Sequence, residues 1–276
     1  MTTDRPTTAG PTTEHMTTDR AATDRGLNGK IAVVTGASRG IGLAIAHDLV
    51  AHGATVCLTA RHEHALQEAA AELPEGSVIT VAGRSDDPDH RKQVLDTVAE
   101  RFGGLDILVN NAGINPVYGP LSELDLDAAR KVFEVNVFGT LAWVQDVLAH
   151  PGLDFTARRG TVVNLSSVSA DTPSPGIGLY GISKAAVSHL TRTLAVELGP
   201  EIRVNAVSPA VVKTKFSRAL YEGREEEVAA DYPLQRLGTP EDIAGAVTYL
   251  VSTQASWVTG QVLTLDGGLL TAGGNA

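Results

Sequence analysis

Short apolar runs alternate with longer segments of helical spacing over residues 30–268. The runs are rich in Val and Ile and are almost continuously apolar, rather than alternating between apolar and polar residues. This pattern is typical of strands buried on both faces of a parallel sheet. The predicted strands are Ile31–Thr35, Thr55–Thr59, Val78–Val81, Leu105–Asn110, Gly160–Leu165, Arg203–Val207 and Val262–Leu265.

Strands that alternate with helices indicate right-handed βαβ units. No linker-like stretch interrupts residues 28–268, so we predict one α/β domain over 27–276. The expected architecture is a single Rossmann fold, in which helices cover both faces of a doubly wound, seven-stranded parallel sheet. The predicted helices lie near 40–52, 62–72, 88–102, 124–149, 178–198 and 240–252.

Two segments depart from this regular pattern. Residues 1–26 are rich in Thr, Asp and Arg and repeat the string Met-Thr-Thr-Asp-Arg, which predicts a disordered tail and leaves Met16 as an alternative start. The stretch Val211–Tyr232 has weaker apolar order and carries three consecutive glutamates. It has two open interpretations, a solvated helix and a mobile lid over the active site.

Composition excludes several classes of function. A net charge of −10 argues against a nucleic-acid surface, which needs clustered Lys and Arg. The single cysteine, Cys57, cannot form an intrachain disulfide and is expected to pack in the core. We find no apolar stretch long enough to span a bilayer and no signal peptide, and therefore expect a cytoplasmic protein without membrane contact.

A glycine-rich turn follows the first predicted strand and opens the first predicted helix. Its glycines permit a tight turn and close backbone approach, and the helix N-terminus offers free N–H groups to a pyrophosphate. A strand, a glycine turn and a helix in this order predict a dinucleotide site. The predicted contacts in this turn are Gly36, Ser38, Arg39, Gly40, Ile41 and Gly42.

The end of the second strand indicates which dinucleotide is bound. A carboxylate there suits the ribose 2′-hydroxyl of NAD, whereas a basic side chain accommodates a 2′-phosphate. The second strand is followed by Ala60 and Arg61, and the first carboxylate is Glu63. Two guanidinium groups, Arg39 and Arg61, would form charge-assisted bonds to a phosphate. We therefore favour NADP(H) as the cofactor.

Tyr180 and Lys184 are spaced to share one face of a helix. The ordinary pKa of tyrosine, about 10, is too high for acid–base catalysis at neutral pH. The charge of Lys184, with that of an oxidised nicotinamide, is expected to lower it. Tyr180 could then donate a proton to a substrate carbonyl. Ser167 follows the fifth predicted strand, where its hydroxyl could polarise the same carbonyl. A metal site at His62 and His64 is not expected, because residues two apart on a helix diverge.

The chain resembles the short-chain dehydrogenase/reductase family over residues 28–268, in its compact, 3-oxoacyl-[acyl-carrier-protein] reductase-like branch. Asparagine at 136 also falls where the family places a catalytic asparagine. The resemblance rests on the motifs Thr35–Gly42, Asn110–Gly113, Ser167 with Tyr180 and Lys184, Arg203–Pro209 and Leu265–Gly268.

The resemblance implies an oxidoreductase that interconverts a ketone and a secondary alcohol through a Ser-Tyr-Lys-Asn tetrad. Tyr180 is then the acid or base, Ser167 holds the substrate oxygen, Lys184 holds the ribose and tunes Tyr180, and Asn136 supports a water. The family usually forms homotetramers, sometimes homodimers. Further implied cofactor contacts are Asn111, Ala112, Gly113, Pro209, Val212 and Thr214.

Two positions depart from the family pattern. Ala210 stands where glycine is common, and Arg84 stands where an adenine-contacting aspartate is common, so Arg84 is expected to face solvent. The alternatives left open are a 3-oxoacyl-[acyl-carrier-protein] reductase of fatty-acid or polyketide type and a non-catalytic dinucleotide sensor.

Overall fold

The computed structural model describes residues 26–274. The predicted tail, together with the alternative start at Met16, lies outside the described residues except for Gly26. In the described part, seven strands form one parallel sheet in the order β3-β2-β1-β4-β5-β6-β7. The strands are β1 (Ile31–Thr35), β2 (Thr55–Ala60), β3 (Val78–Ala82), β4 (Ile107–Asn110), β5 (Thr161–Leu165), β6 (Arg203–Pro209) and β7 (Val262–Leu265).

Helices connect successive strands and cover both faces of the sheet. Single turns of 3₁₀ helix occur at Leu121–Glu123, Val168–Ala170 and Thr253–Ala255. The helices are α1 (Gly40–Ala51), α2 (Glu63–Ala71), α3 (Pro88–Phe102), α4 (Leu126–Phe133), α5 (Gly139–Ala149), α6 (Gly178–Glu197), α7 (Arg218–Tyr221), α8 (Glu225–Ala230) and α9 (Pro240–Val251).

The fold class and the order of elements are confirmed, several other boundaries differ by one or two residues, and two elements need fuller correction. Strand β4 begins at Ile107, because the preceding Asp106 accepts hydrogen bonds from the Ile31 amide and from Lys30 and Arg158. The predicted helix 124–149 is divided by a π-helical turn, Glu134–Phe138, between α4 and α5. This turn is important because it carries Asn136.

Two apolar layers hold the helices on the sheet. Side chains of β1 alternate between them, since Ala32 and Val34 pack with α1 and α9, whereas Ile31 and Val33 pack with α3, α5 and α6. Cys57 is fully buried in the second layer, and burial raises the pKa of its thiol to about 12. The thiol therefore contributes to packing, as expected.

The strand order places a crevice at the carboxyl end of the sheet. Strand β1 pairs with β2 on one side and β4 on the other, so the direction of winding reverses there. In doubly wound sheets such a reversal opens a binding crevice between the loops that follow the two strands. The glycine turn follows β1 and Asn111 follows β4, so both enter this crevice.

The stretch Leu126–Ala149 has the length and mean hydropathy, 1.2, of a membrane-spanning helix, which corrects the expectation that no such stretch exists. Within it, Trp143, Val144 and Val147 are buried in the second apolar layer. The α5 part of this stretch therefore packs on the sheet, and further apolar side chains of the stretch lie on its outer face.

Candidate active site

One cleft of about 560 Å³ runs along the carboxyl end of the sheet. Of the residues that the sequence assigns to the cofactor or to catalysis, only Asn136 does not line this cleft. The tertiary structure therefore brings together side chains from the ends of β1, β2, β4, β5 and β6 and from α6. The lining includes Gly36, Ser38, Arg39, Gly40, Ile41, Gly42, Arg61, Asn111, Ala112, Gly113, Ser167, Tyr180, Lys184, Pro209, Val212 and Thr214.

The glycine turn is fastened to β4 by one side chain. The Asn111 amide donates to the backbone oxygens of Thr35, at 2.8 Å, and of Gly36, at 3.1 Å. Gly36 has a φ of 65°, and a Cβ on Gly42 would lie 2.5 Å from the Asn111 amide nitrogen. Only glycine fits at these two positions, since a side chain would fill the space that Asn111 occupies.

The start of α1 fits a dinucleotide pyrophosphate. Arg39 occupies the N-cap position but makes no capping hydrogen bond with its side chain, and the first turn holds no acidic residue. The first amide groups of a helix have no partner within the helix and carry the positive end of its dipole. An anion of the right shape is therefore favoured against Gly40, Ile41 and Gly42, which line the cleft.

Basic side chains surround the end of the cleft next to β2 and β3. Arg61 and Arg84 are exposed there, and Arg84 donates to Asp86 at 3.0 Å. Asp86 also pairs with Lys131 from α4. Burial opposes ionisation of Asp86, but the hydrogen bonds from Arg84 and Lys131 hold its pKa well below the ordinary value. Position 84 carries no aspartate, but Asp86, two residues later, supplies a carboxylate in the same cleft.

Ser167 and Tyr180 meet at the other end of the cleft. Ser167 follows β5, Tyr180 lies in the first turn of α6, and both line the cleft, with the Ser167 side chain close enough to influence the ionisation of Tyr180. The Ser167 hydroxyl oxygen also accepts hydrogen bonds from the Ser169 hydroxyl, at 2.8 Å, and from the Ser169 amide, at 3.3 Å. Because Ser169 fills acceptor positions on Ser167, the proton of Ser167 is left to donate toward a substrate oxygen.

Lys184 lies one helical turn beyond Tyr180 and is buried. Its Nζ donates to the backbone oxygen of Leu165 at 2.6 Å and lies 5.5 Å from the centre of the Tyr180 ring. Burial lowers the pKa of Lys184 to about 8. Desolvation raises the pKa of Tyr180, and the nearby Ser167 side chain opposes this only in part. The expected lowering of the Tyr180 pKa involves Lys184 together with an oxidised nicotinamide, whereas in the chain alone burial dominates and raises this pKa.

Asn136 acts behind the cleft and is fully buried in the π-helical turn. Its side chain accepts from the Ile114 amide at 2.8 Å and donates to the Ile114 carbonyl at 3.0 Å and to the Ser183 hydroxyl at 3.1 Å. It thereby joins the loop after β4 to α6. A Cβ on Gly113 would lie 3.5 Å from both the Asn136 Oδ1 and the Lys184 Nζ, so these two side chains flank the same backbone.

The loop after β6 closes the catalytic end. Ala210 donates its amide to the Leu265 carbonyl at 3.1 Å with a negative φ, so alanine is accommodated where glycine is common. Thr214 and Ser217 are hydrogen-bonded side chain to side chain at 2.9 Å. The lining residues that the sequence motifs do not indicate include polar ones, such as Ser85 and Lys131, and apolar ones in loops or short helices, where no periodicity signals burial. The apolar ones include Ile114, Pro116, Val168, Ile177 and, within 211–232, Phe216 and Leu220.

Helix α8 has no buried residue and corresponds to the predicted solvated helix, whereas Phe216 and Leu220 of the same segment, 211–232, line the cleft. The segment is anchored at its far end, where Tyr232 packs with Leu237 and Leu269.

Comparison with known proteins yields matches along almost the whole described chain. A family model described as "Enoyl-(Acyl carrier protein) reductase" matches residues 36–270. Dehydrogenase/reductase SDR family member 4 of Caenorhabditis elegans is 38% identical over 250 residues, which cover 87% of this chain and 95% of the relative. The human protein of the same name is 38% identical over 248 residues, which cover 88% of each chain.

Solved structures give the same result for the fold. A short-chain dehydrogenase/reductase described as glucose/ribitol dehydrogenase from Brucella melitensis superposes with a TM-score of 0.82 at 33% identity. The match covers 88% of this chain and 97% of that one. A second structure, a short chain dehydrogenase/reductase family protein, gives a TM-score of 0.78 at 37% identity, with 88% and 99% covered.

Proposed function

This chain belongs to the short-chain dehydrogenase/reductase family and is an oxidoreductase that acts on CH–OH substrates, and we propose that it interconverts a ketone and a secondary alcohol with NADP(H). We further propose Ser167, Tyr180, Lys184 and Asn136 as its working tetrad.

One observation carries the proposal: Ser167, Tyr180 and Lys184 share a cleft with a glycine turn that fits a pyrophosphate. The bound dinucleotide supplies the hydride in reduction and accepts it in oxidation. In reduction, Tyr180 donates its proton to the carbonyl oxygen, toward which Ser167 also donates a hydrogen bond. Lys184 provides a positive charge one turn away that stabilises the phenolate left behind.

Asn136 supports this chemistry from a buried position outside the cleft lining. Its two hydrogen bonds to Ile114 and one to Ser183 hold the loop after β4 against α6. We propose that Asn136 is a positioning residue, which keeps Lys184 and the backbone of Gly113 in register with Tyr180.

The preference for NADP(H) is argued from charge. Arg84 and Lys131 share the carboxylate of Asp86, so their charges are already compensated. Arg39 and Arg61 make no ion pair within residues 26–274, and both line the cleft. They are the two guanidinium groups left to bind a phosphate on the adenosine ribose.

Removal of these two charges is the test of cofactor choice. The double substitution Arg39→Ala with Arg61→Ala is expected to raise KM for NADPH about 100-fold, since a charged hydrogen bond contributes about 1.5–3 kcal/mol. KM for NADH is expected to stay within about threefold. Arg101→Ala, an exposed arginine in the last turn of α3, is the matched control. Equal losses with both dinucleotides would contradict the assignment of a 2′-phosphate site.

The activity itself is tested by following oxidation of NADPH at a panel of ketones, quinones, 3-oxoesters and 3-oxoacyl thioesters. Turnover that is lost in a Tyr180→Phe variant supports the proposal. Intact NADPH binding without turnover of any carbonyl would favour a non-catalytic sensor.

The description of the matching family model raises carrier-linked thioesters as an alternative substrate. An acidic carrier protein needs basic groups around the cleft. At the loop after β6, Lys213 pairs with Glu225 and Arg218 pairs with Glu222, which leaves Lys215 as the basic residue nearest the cleft. The thioester arm of the panel decides this alternative.

We also propose a homotetramer with two kinds of interface. The outer face of α4 and the π-helical turn exposes Leu126 and Phe138, at 64% and 55%. A second apolar face consists of the edge strand β7 and the residues just before it. Trp257, before the strand, is 98% exposed, and Leu263, in the strand, is 37% exposed. Apolar patches and an uncovered edge strand of this kind are typical of subunit contacts.

The assembly is tested by light scattering of purified protein. The wild-type chain is expected to have four times the monomer mass. Either Trp257→Ser or Phe138→Ser alone is expected to leave a dimer, because each substitution removes one of two different interfaces. A monomeric wild-type protein would contradict the proposal, and an unchanged mass of both variants would reassign the two faces.

A further inference from the structure

Charge is unevenly distributed along the cleft. Arg61, Arg84 and Asp86 follow β2 and β3, which are separated from β5 by β1 and β4. Neighbouring strands are about 4.8 Å apart, so these charges lie more than about 10 Å from Ser167. At the catalytic end the charged lining residues are Lys184 and Lys215. Lys184 is buried and bonded to Leu165, and Lys215 is exposed.

The wall next to Tyr180 is instead apolar. Phe216 lies with its ring centre 5.9 Å from that of Tyr180, at an interplanar angle of 48°. The ring of Phe216 is nevertheless 50% exposed, and Leu220, four residues later, is 37% exposed. Large apolar side chains that remain uncovered beside a catalytic group are suited to contact an apolar ligand.

Another part of the cleft wall is formed by the loop after β4, through Ile114 and Pro116. Tyr118, two residues beyond Pro116 in this loop, is 59% exposed. The loop is held in place, because the Gly119 amide donates to the Gly176 carbonyl at 2.9 Å and Leu121 packs against Gly178. Phe216 therefore lies beside the reacting group, and Tyr118 is an exposed aromatic ring two residues beyond the cleft lining, on a separate loop.

We propose that the substrate is an uncharged ketone that carries an aromatic or alicyclic ring, and that Phe216 and Tyr118 bind this ring while Phe216 determines the preference. The inference rests on the proposed function. In the reaction, the carbonyl carbon gains a hydride from the reduced nicotinamide and the carbonyl oxygen gains the proton of Tyr180. The products are the secondary alcohol and the oxidised nicotinamide.

Physical chemistry disfavours an anionic substrate here. A carboxylate placed against Phe216 and Leu220 would lose its hydration, and the charged side chain that could compensate it, Lys215, is exposed to water. A ring contributes more than a chain of equal carbon number, because it is rigid and can stack on an aromatic face. The cleft therefore discriminates by charge first and by shape second.

The experiment compares kcat/KM for three ketones with NADPH: an aryl methyl ketone, a straight-chain methyl ketone of equal carbon number and the aryl ketone with a para-carboxylate. For the wild-type protein, the aryl ketone is expected to exceed the straight-chain ketone about tenfold and the carboxylate about 100-fold. Phe216→Ala is expected to lower kcat/KM for the aryl ketone about 30-fold and that for the straight-chain ketone less than about threefold.

Two controls separate ring contact from damage to the loop. Arg218→Ala, in the same segment but outside the cleft lining, is expected to change none of the three values more than about threefold. Tyr118→Ala tests the loop after β4 independently and is expected to reduce the preference for the aryl ketone. The NADPH dissociation constant and melting temperature of each variant show whether the site remains folded.

The outcomes that overturn the inference differ from those that overturn the proposed function. A best substrate that carries the carboxylate, with a large loss in Lys215→Ala, would replace the substrate class by an anionic one. Equal losses for all three ketones in both Phe216→Ala and Tyr118→Ala would make the two rings merely structural. Absence of turnover by the wild-type protein with NADPH and NADH would overturn the proposed function itself.

Discussion

Replacement of Tyr180 by phenylalanine is expected to lower kcat for ketone reduction by about 1,000-fold, since a positioned general acid contributes about 10²–10⁴. The substitution removes one hydroxyl and keeps the ring that contacts Phe216. The dissociation constant for NADPH is expected to change less than about threefold, because the glycine turn and α1 are untouched. Single-turnover kinetics and fluorescence titration measure the two quantities separately.

The pH dependence of the wild-type enzyme is a second test of the roles given to Tyr180 and Lys184. Desolvation raises the pKa of Tyr180, so the phenol stays protonated and ready to donate throughout the neutral range. Lys184 has a pKa of about 8, below the ordinary value for lysine, so it loses its charge as pH rises through about 8. The phenolate formed in reduction then loses its stabilising neighbour. The reduction rate is therefore expected to fall above pH 8, and oxidation is expected to be slow at neutral pH.

Tyr249→Phe is the matched control, because this tyrosine lies on α9 and does not line the cleft. It is expected to leave both the rate and the pH profile unchanged. A Tyr180→Phe variant that retains more than about a tenth of the wild-type kcat would exclude Tyr180 as the general acid. A reduction rate that stays level up to pH 10 would contradict the role given to Lys184.

The second large effect is expected from Gly181→Ala, one residue beyond Tyr180. A Cβ at this position would lie 2.4 Å from the backbone oxygen of Ser169, which is far inside van der Waals contact. Helix α6 must therefore move away from the 3₁₀ turn that carries Ser169. Because this turn begins at Ser167, the movement separates Ser167 from Tyr180.

Misplacement of reacting groups by about 1 Å costs about 100-fold in rate, and we expect a loss of that size in kcat for Gly181→Ala. Overpacking is also expected to lower the free energy of unfolding by about 1–3 kcal/mol. Gly245→Ala in α9 is the matched control, since its Cβ would meet nothing within 4 Å. That substitution is expected to be neutral or to stabilise the helix by up to about 1 kcal/mol.

Chemical denaturation and steady-state kinetics of both glycine variants distinguish the two effects. A Gly181→Ala variant with normal kcat would show that α6 and the Ser169 turn can separate without disturbing Ser167 and Tyr180. Loss of NADPH binding in that variant would instead place the damage at the cofactor cleft.

Much of the architecture could be predicted from local patterns. Nearly continuous Val- and Ile-rich runs predict strands buried on both faces, and β1, β3 and β7 begin at the residues expected. The glycine turn and the Tyr180–Lys184 spacing are also local signals, because each depends on neighbours within about one helical turn. These signals are sufficient to predict a parallel sheet with a dinucleotide cleft.

The chemical character of the site depended on contacts between residues far apart in the chain. Burial raises the pKa of Tyr180, although the nearby lysine suggested the opposite shift. The buried position of Asn136 depends on a π-helical turn, and the place of the half-exposed Phe216 beside Tyr180 depends on how an irregular loop folds back on α6. Desolvation and packing between distant segments determine these properties. The sequence by itself therefore determined the fold and the reaction class, and only the tertiary structure decided the electrostatics and the shape of the substrate end.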